Sequence, residues 1–125
     1  MRWLNSTEVL AIHARQIAEH GGIDGLRDLG LLESALARPQ NLHAYDPEAD
    51  IASLAAAYAF GIAKNHPFLD GNKRTAHVTM RTFLVLNDIE FRAPQEDKYL
   101  AIMALAAGEL SESSLAEWIR ARVSG

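Results

Sequence analysis

The sequence predicts an all-α fold, a compact bundle of about six helices. Three observations point there. Apolar residues recur at helical rather than alternating spacing along almost all of the 125 residues. Capping residues and glycine or proline stops cut that pattern into helix-length pieces. No pair of strand-like runs justifies a sheet. The length suits one domain spanning residues 1–125. With 49% hydrophobic residues the chain can build its own core, which excludes whole-chain disorder.

The first helix is expected over Ser6–His20. Asn5 caps it, Glu8 stands where a capping box needs it, and Gly21–Gly22 stop it. A short second helix reads from Gly30 to Arg38, ended by Pro39. The polar stretch Gln40–Ala49, bounded by Pro39 and holding Pro47, reads as an exposed loop. Asp50 caps a third helix that runs to Asn65. Its centre, LAAAYAFGIA, is apolar on most sides and predicts burial in the middle of the bundle. Pro67 ends it, since the residue before a proline avoids helical angles. A fourth helix is expected from Gly71 to Asn87. Asp88–Pro94 can hold a short extended piece. Gln95–Ala107 and Ser113–Val123 complete the set.

Composition excludes several functions. There is no cysteine, hence no disulfide scaffold, thiolate metal site or cysteine nucleophile. The net charge of −4 argues against a general grip on nucleic acid, which needs a basic face. The N-terminus MRWLNSTEVL has no apolar core of a signal peptide. The longest apolar stretch, Ile51–Ala63, is too short for a bilayer, which takes about 20 residues. A cytoplasmic protein that meets neither membrane nor nucleic acid is the expectation.

One segment differs in kind: His66-Pro67-Phe68-Leu69-Asp70-Gly71-Asn72-Lys73-Arg74, at a helix–loop–helix junction. The first N–H groups of the following helix lack intrahelical partners, and its dipole favours negative charge there. Gly71 removes the side chain that would hold a ligand off that backbone. Asn72 adds an amide donor. Lys73 and Arg74 add positive charge, Arg74 as a fork able to grip two phosphate oxygens. Together these form an anion cradle suited to a polyphosphate. Asp70 is the carboxylate a phosphate-bound magnesium ion takes from a protein. His66 is the candidate general base, because imidazole titrates near neutrality. Phe68 is expected to turn inward and pin the loop. The chemistry assembled is transfer of a phosphorus-containing group to a hydroxyl. Each residue alone has a plainer reading, as a capping turn or a solvated charge; their coincidence in one loop does not.

HPFLDGNKR resembles the signature of the Fic/Doc (Fido) superfamily, H-x-F-x-[DE]-[GA]-N-[GK]-R, at every position. GLLESALARPQ upstream, the alanine-rich helix before the motif and the RTA that ends it resemble the death-on-curing (Doc) toxin branch. The resemblance implies an all-α fold with this loop between two central helices. It implies His66 as the base, Asp70 as the magnesium holder, and Gly71, Asn72, Lys73 and Arg74 on the nucleotide phosphates. It also implies a toxin of a toxin–antitoxin pair that uses ATP and Mg2+. Such toxins move the terminal phosphate onto a hydroxyl of a translation factor, elongation factor Tu. The antitoxin is implied as a separate segment that folds into a groove, for which Trp3, Leu10 and Ile17 are candidates. Members that transfer AMP carry glycine where Lys73 stands; Gly71 is shared with them. AMP transfer is thus one alternative, and a catalytically silent partner-binding domain another.

The remaining histidines, His13, His20, His43 and His77, read as surface or packing residues. His77, one turn beyond Lys73, could face the same pocket. Arg15/His20 and Arg38/His43 both show the R-x4-H spacing of some ribonucleases, a cheap pattern. The loop 40–49, with Leu42 and Tyr45, is a candidate to flank the active site. The inhibitory motif [ST]-x-x-x-E-[GN] of some Fic proteins is nearest at Ser113…Glu117, but Trp118 follows. No built-in brake is expected.

Overall fold

The computed structural model describes residues 1–125. Six helices account for most of them: α1 (Ser6–His20), α2 (Leu29–Tyr45), α3 (Ile51–Asn65), α4 (Asn72–Leu86), α5 (Gln95–Ala106) and α6 (Glu112–Arg120). Two short strands, β1 (Glu90–Phe91) and β2 (Val123–Ser124), pair antiparallel. The fold is all-α, as expected, with this ribbon as its one addition.

α3 is the hub, packed against α2, α4 and α6. Residues Leu54 through Ala59 are fully buried, as are Ile62 and Ala52. The alanines let neighbouring helices approach, while Leu54, Tyr58 and Ile62 fill the volume. Burial of each large apolar side chain stabilises by roughly 1.5–3 kcal/mol. The one polar atom this centre takes in, Tyr58 Oη, accepts the Leu4 N–H at 2.9 Å, so it is not left unpaired. Gly61 marks the tightest crossing: a Cβ there would lie 3.0 Å from the Cα and carbonyl oxygen of Ala35 on α2.

That crossing explains the first correction. The second helix does not stop at Pro39 but runs through it to Tyr45. Proline deprives the Ala35 carbonyl of its usual donor four residues on. The deprived carbonyl is the one that lies over Gly61, and Pro39 itself is buried. Packing against α3 outweighs the lost bond, and residues 40–45 become helix instead of loop. The second correction is at the C-terminus. α6 ends at Arg120, because Val123 and Ser124 pair with Phe91 and Glu90. Trp118 meets Phe91 edge-on beneath that ribbon, at 5.7 Å between centroids.

No helix is long and apolar enough to cross a membrane.

Candidate active site

The loop between α3 and α4 is shaped by its own residues. α3 ends at His66 in a left-handed conformation, φ 52°, ψ 55°, a common way to turn a chain off a helix. Pro67 and Phe68 then turn inward and are buried. Gly71 caps α4 at φ +75°, where an L side chain is strained and a Cβ would sit 3.2 Å from Ile17 Cδ1. No side chain caps α4, and the amides of Asn72, Lys73 and Arg74 carry no backbone acceptor. The cradle of free N–H groups read from the sequence is therefore present.

Asn72 is buried, and its amide serves the loop. Oδ1 accepts the Phe68 N–H and Nδ2 donates to the Phe68 carbonyl, both at 3.0 Å. Nδ2 also lies 3.4 Å from His66 Nδ1. That contact is too long to set the imidazole tautomer. The side chain thus orders the loop and touches the ring of His66, while its backbone N–H belongs to the cradle.

Asp70 is exposed, and both its oxygens are oriented. Oδ1 accepts the Gly71 N–H at 2.8 Å and Oδ2 the Ile23 N–H at 3.1 Å. The Ile23 amide, then that of Gly71, holds the carboxyl below its usual range, so it is ionised at neutral pH. Each oxygen keeps lone-pair capacity. No three acidic or histidine side chains converge to cage a metal. One oriented carboxylate beside a phosphate cradle fits magnesium, which keeps water and phosphate oxygens as its other ligands.

His66, Asp70, Gly71, Asn72, Lys73 and Arg74 all line one pocket of about 320 Å³. Phe68 lies beneath it, 1% exposed, as expected of a pin. Neither Lys73 nor Arg74 pairs with a carboxylate. Three further residues border the pocket that the sequence did not single out for it: His20, Gly21 and Tyr99. Arg74 lies over the Tyr99 ring at 5.4 Å. A larger cavity, about 590 Å³, opens between α2, α3 and α6. It shares no residue with the motif pocket, and of its two acids, Asp46 and Glu112, Glu112 is paired with Arg38.

The connection between α1 and α2 clamps the motif loop. Arg27 N and Asp28 N donate to the Pro67 carbonyl at 2.7 and 3.1 Å, and Leu69 N donates to Gly25 O at 3.0 Å. The Arg27 guanidinium donates to the carbonyls of His66 and Asn65 at 2.7 and 2.8 Å. This places the flanking segment at residues 21–28. The candidate at 40–49 is thereby corrected: it precedes α3, whereas the motif follows it. Fifteen residues of helix separate the two by roughly 22 Å. Leu42 borders the larger cavity, and Tyr45 is 91% exposed.

His77 does not border the motif pocket. It is buried, and burial with Arg81, Lys98 and Arg74 nearby pushes its pKa down to about 4. Neither R-x4-H pair forms a site. Arg15 is bonded to Glu19, whereas His20 borders the motif pocket. Arg38 covers Phe60, while His43 meets Trp3 edge-on. Trp3 also stacks on Phe83, Leu10 packs on the core, and Ile17 lies under Gly71. These three candidates for an antitoxin groove are each partly exposed. His13, read as a packing residue, proves to touch the motif directly: its ring stacks on Phe68 at 3.8 Å and its Nε2 lies 2.8 Å from the Asp70 carbonyl.

Sequence comparisons bear on the whole chain. A family model described as Fic/DOC matches residues 3–84. A protein kinase doc of Escherichia phage P1 is 35% identical over 120 residues, covering 96% of this chain and 94% of that one. A toxin Doc of Mycolicibacterium smegmatis is 42% identical over 74 residues, covering 58% of this chain and 57% of that one.

Proposed function

The chain belongs to the Fic/Doc family, in its Doc branch, and we propose that it is the toxin of a toxin–antitoxin pair. In this reading it transfers the terminal phosphate of ATP to a hydroxyl of a translation protein, elongation factor Tu, and so arrests translation. The observation that carries the chemistry is the convergence of five polar motif residues and Gly71 on one pocket at the uncapped start of α4.

His66 takes the proton from the target hydroxyl as its oxygen attacks the terminal phosphorus. The new O–P bond forms while the bond from that phosphorus to the bridging oxygen breaks, and ADP leaves. The free amides of α4, Lys73 and Arg74 stabilise the charge that spreads over the transferring group and the leaving diphosphate. Asp70 holds Mg2+, which neutralises phosphate charge when bound. Phe68 and the Asn72 side chain keep these groups in register. Unpaired Lys73 and Arg74 support the anionic donor, since two adjacent cations without counterions repel each other until an anion arrives.

Gly71 does not tilt the reading toward AMP transfer. Its left-handed φ and the Ile17 methyl beneath it account for a glycine on structural grounds alone. The relative named a toxin supports an antitoxin acting in trans. So does the position of Glu117, on α6 and outside the motif pocket.

Mass spectrometry of elongation factor Tu after incubation with ATP and Mg2+ tests the reading. A gain of about 80 Da marks phosphate and about 329 Da marks AMP. No gain, or the larger one, removes the phosphotransfer reading. Growth arrest that survives His66→Ala would favour a silent binding domain instead.

A further inference from the structure

We propose that His13 is a positioning residue for Asp70, one helix away from the motif. The ring is 3% exposed and lies flat on Phe68, with 5° between planes and 3.8 Å between centroids. Its Nε2 is 2.8 Å from the Asp70 carbonyl oxygen. A carbonyl only accepts, so Nε2 carries the hydrogen and donates. Nδ1 faces Asp24 Oδ1 at 4.0 Å, beyond hydrogen-bond reach. Beside Nε2, at 3.7 Å, is where a Gly71 Cβ would stand.

Asp70 is thereby tied at three points. His13 holds its carbonyl, Gly71 N–H holds Oδ1, and Ile23 N–H holds Oδ2. The two amide bonds turn the carboxylate, and their donors are the backbone of Gly71 and of Ile23, which follows Gly22. The His13 bond is the one anchored in a buried helix face. It fixes the peptide between Asp70 and Gly71, hence the backbone that carries the carboxylate. Phe68 sets the height of the ring, so the stack and the bond act as one bracket.

The consequence for Mg2+ rests on Asp70 being its ligand, as proposed above. The bracket itself does not. Two readouts separate them. The first is hydrogen exchange at the Ile23 and Gly71 amides, with Leu115 in α6 as a distant reference. The second is ATP binding by calorimetry, titrated with Mg2+ and repeated in chelator. His13→Phe keeps a flat ring on Phe68 and removes the donor; His13→Gln keeps a donor and removes the ring.

In His13→Phe, exchange at Ile23 and Gly71 should quicken roughly three- to tenfold, the range one net hydrogen bond carries, with Leu115 unchanged. The Mg2+ needed for half-maximal ATP binding should rise by a similar factor, while binding in chelator stays as in the wild type. His13→Gln should recover most of both. Unchanged exchange in a folded His13→Phe overturns the inference, as does quickening at Leu115 to the same degree. If exchange responds and no form binds ATP, the bracket stands and the phosphotransfer reading falls. Should His13→Phe not fold, the wild type still decides: nitrogen-15 shifts of the ring showing hydrogen on Nδ1 instead of Nε2 would end the proposal.

Discussion

The Asn72 carboxamide grips the Phe68 backbone at both ends and touches the His66 ring. Phe68 is 1% exposed, so its N–H and carbonyl have little access to water if that grip is lost. Asn72→Ala should cost about 2–3 kcal/mol in urea unfolding, for two buried backbone groups left unpaired. Asn72→Asp keeps an acceptor for the Phe68 N–H but no donor, and should fall between. Coinciding midpoints for Ala and wild type would show that water replaces the amide. Lys73 makes the contrasting case, since it is exposed and holds no partner in the fold. Lys73→Gly should leave stability within about 1 kcal/mol, a helix-propensity change only. It should shift labelling of the target from γ-labelled toward α-labelled ATP. Unchanged labelling from both donors would refute a role for this side chain in the choice between phosphate and AMP transfer.

At the scale of elements, the legible parts were those whose signals are local. α1 is bounded by Asn5, Glu8 and Gly21, and it forms over the predicted residues. α3 announces its burial through consecutive alanines, and α4 starts beside Gly71 as its dipole argument requires. The misreadings need partners distant in sequence. Pro39 ends a helix unless another helix supplies the packing, and Gly61 is twenty-two residues away. His13 and Asp70 stand fifty-seven apart, so nothing in either neighbourhood announces their bond. The interface of α4 and α5 hides a further such case. His77 is buried there, its Nε2 has no partner, and Arg81, Lys98 and Arg74 oppose its protonation. Its pKa falls from about 6.5 when unfolded to about 4 in the fold. Between those values the unfolded chain binds a proton that the folded one refuses. Stability should therefore drop as pH falls from 6.5 toward 4 and lose nothing further through this group below that. At pH 5 the loss should reach up to about 2 kcal/mol. His77→Leu should shrink the difference between urea midpoints at pH 7.5 and pH 5. An undiminished difference would place the pH dependence elsewhere.

Across the whole molecule, the site is a junction of three chain regions. α1 brings His13 and Ile17 under Gly71, the segment 21–28 straps the loop, and α3 and α4 supply its ends. The core holds α3 and α4 together, yet the loop between them is exposed at His66, Leu69 and Asp70. Its shape is therefore set by polar bonds to the strap more than by hydrophobic burial. Arg27 is the strongest of these. Its fork donates to the last carbonyls of α3, where the helix dipole also favours a cation, and its backbone N–H holds Pro67. The left-handed turn at His66 depends on those carbonyls staying where they are. Arg27→Ala should lower stability by about 2 kcal/mol, for two charge-assisted bonds on an exposed face. Phosphate transfer should fall by more than that loss explains, with the melting transition still complete well above the assay temperature. Arg27→Lys should not restore it, because an ammonium offers no planar fork to two carbonyls. Full activity in Arg27→Lys would mean that charge near the end of α3, and not its geometry, is what the loop requires.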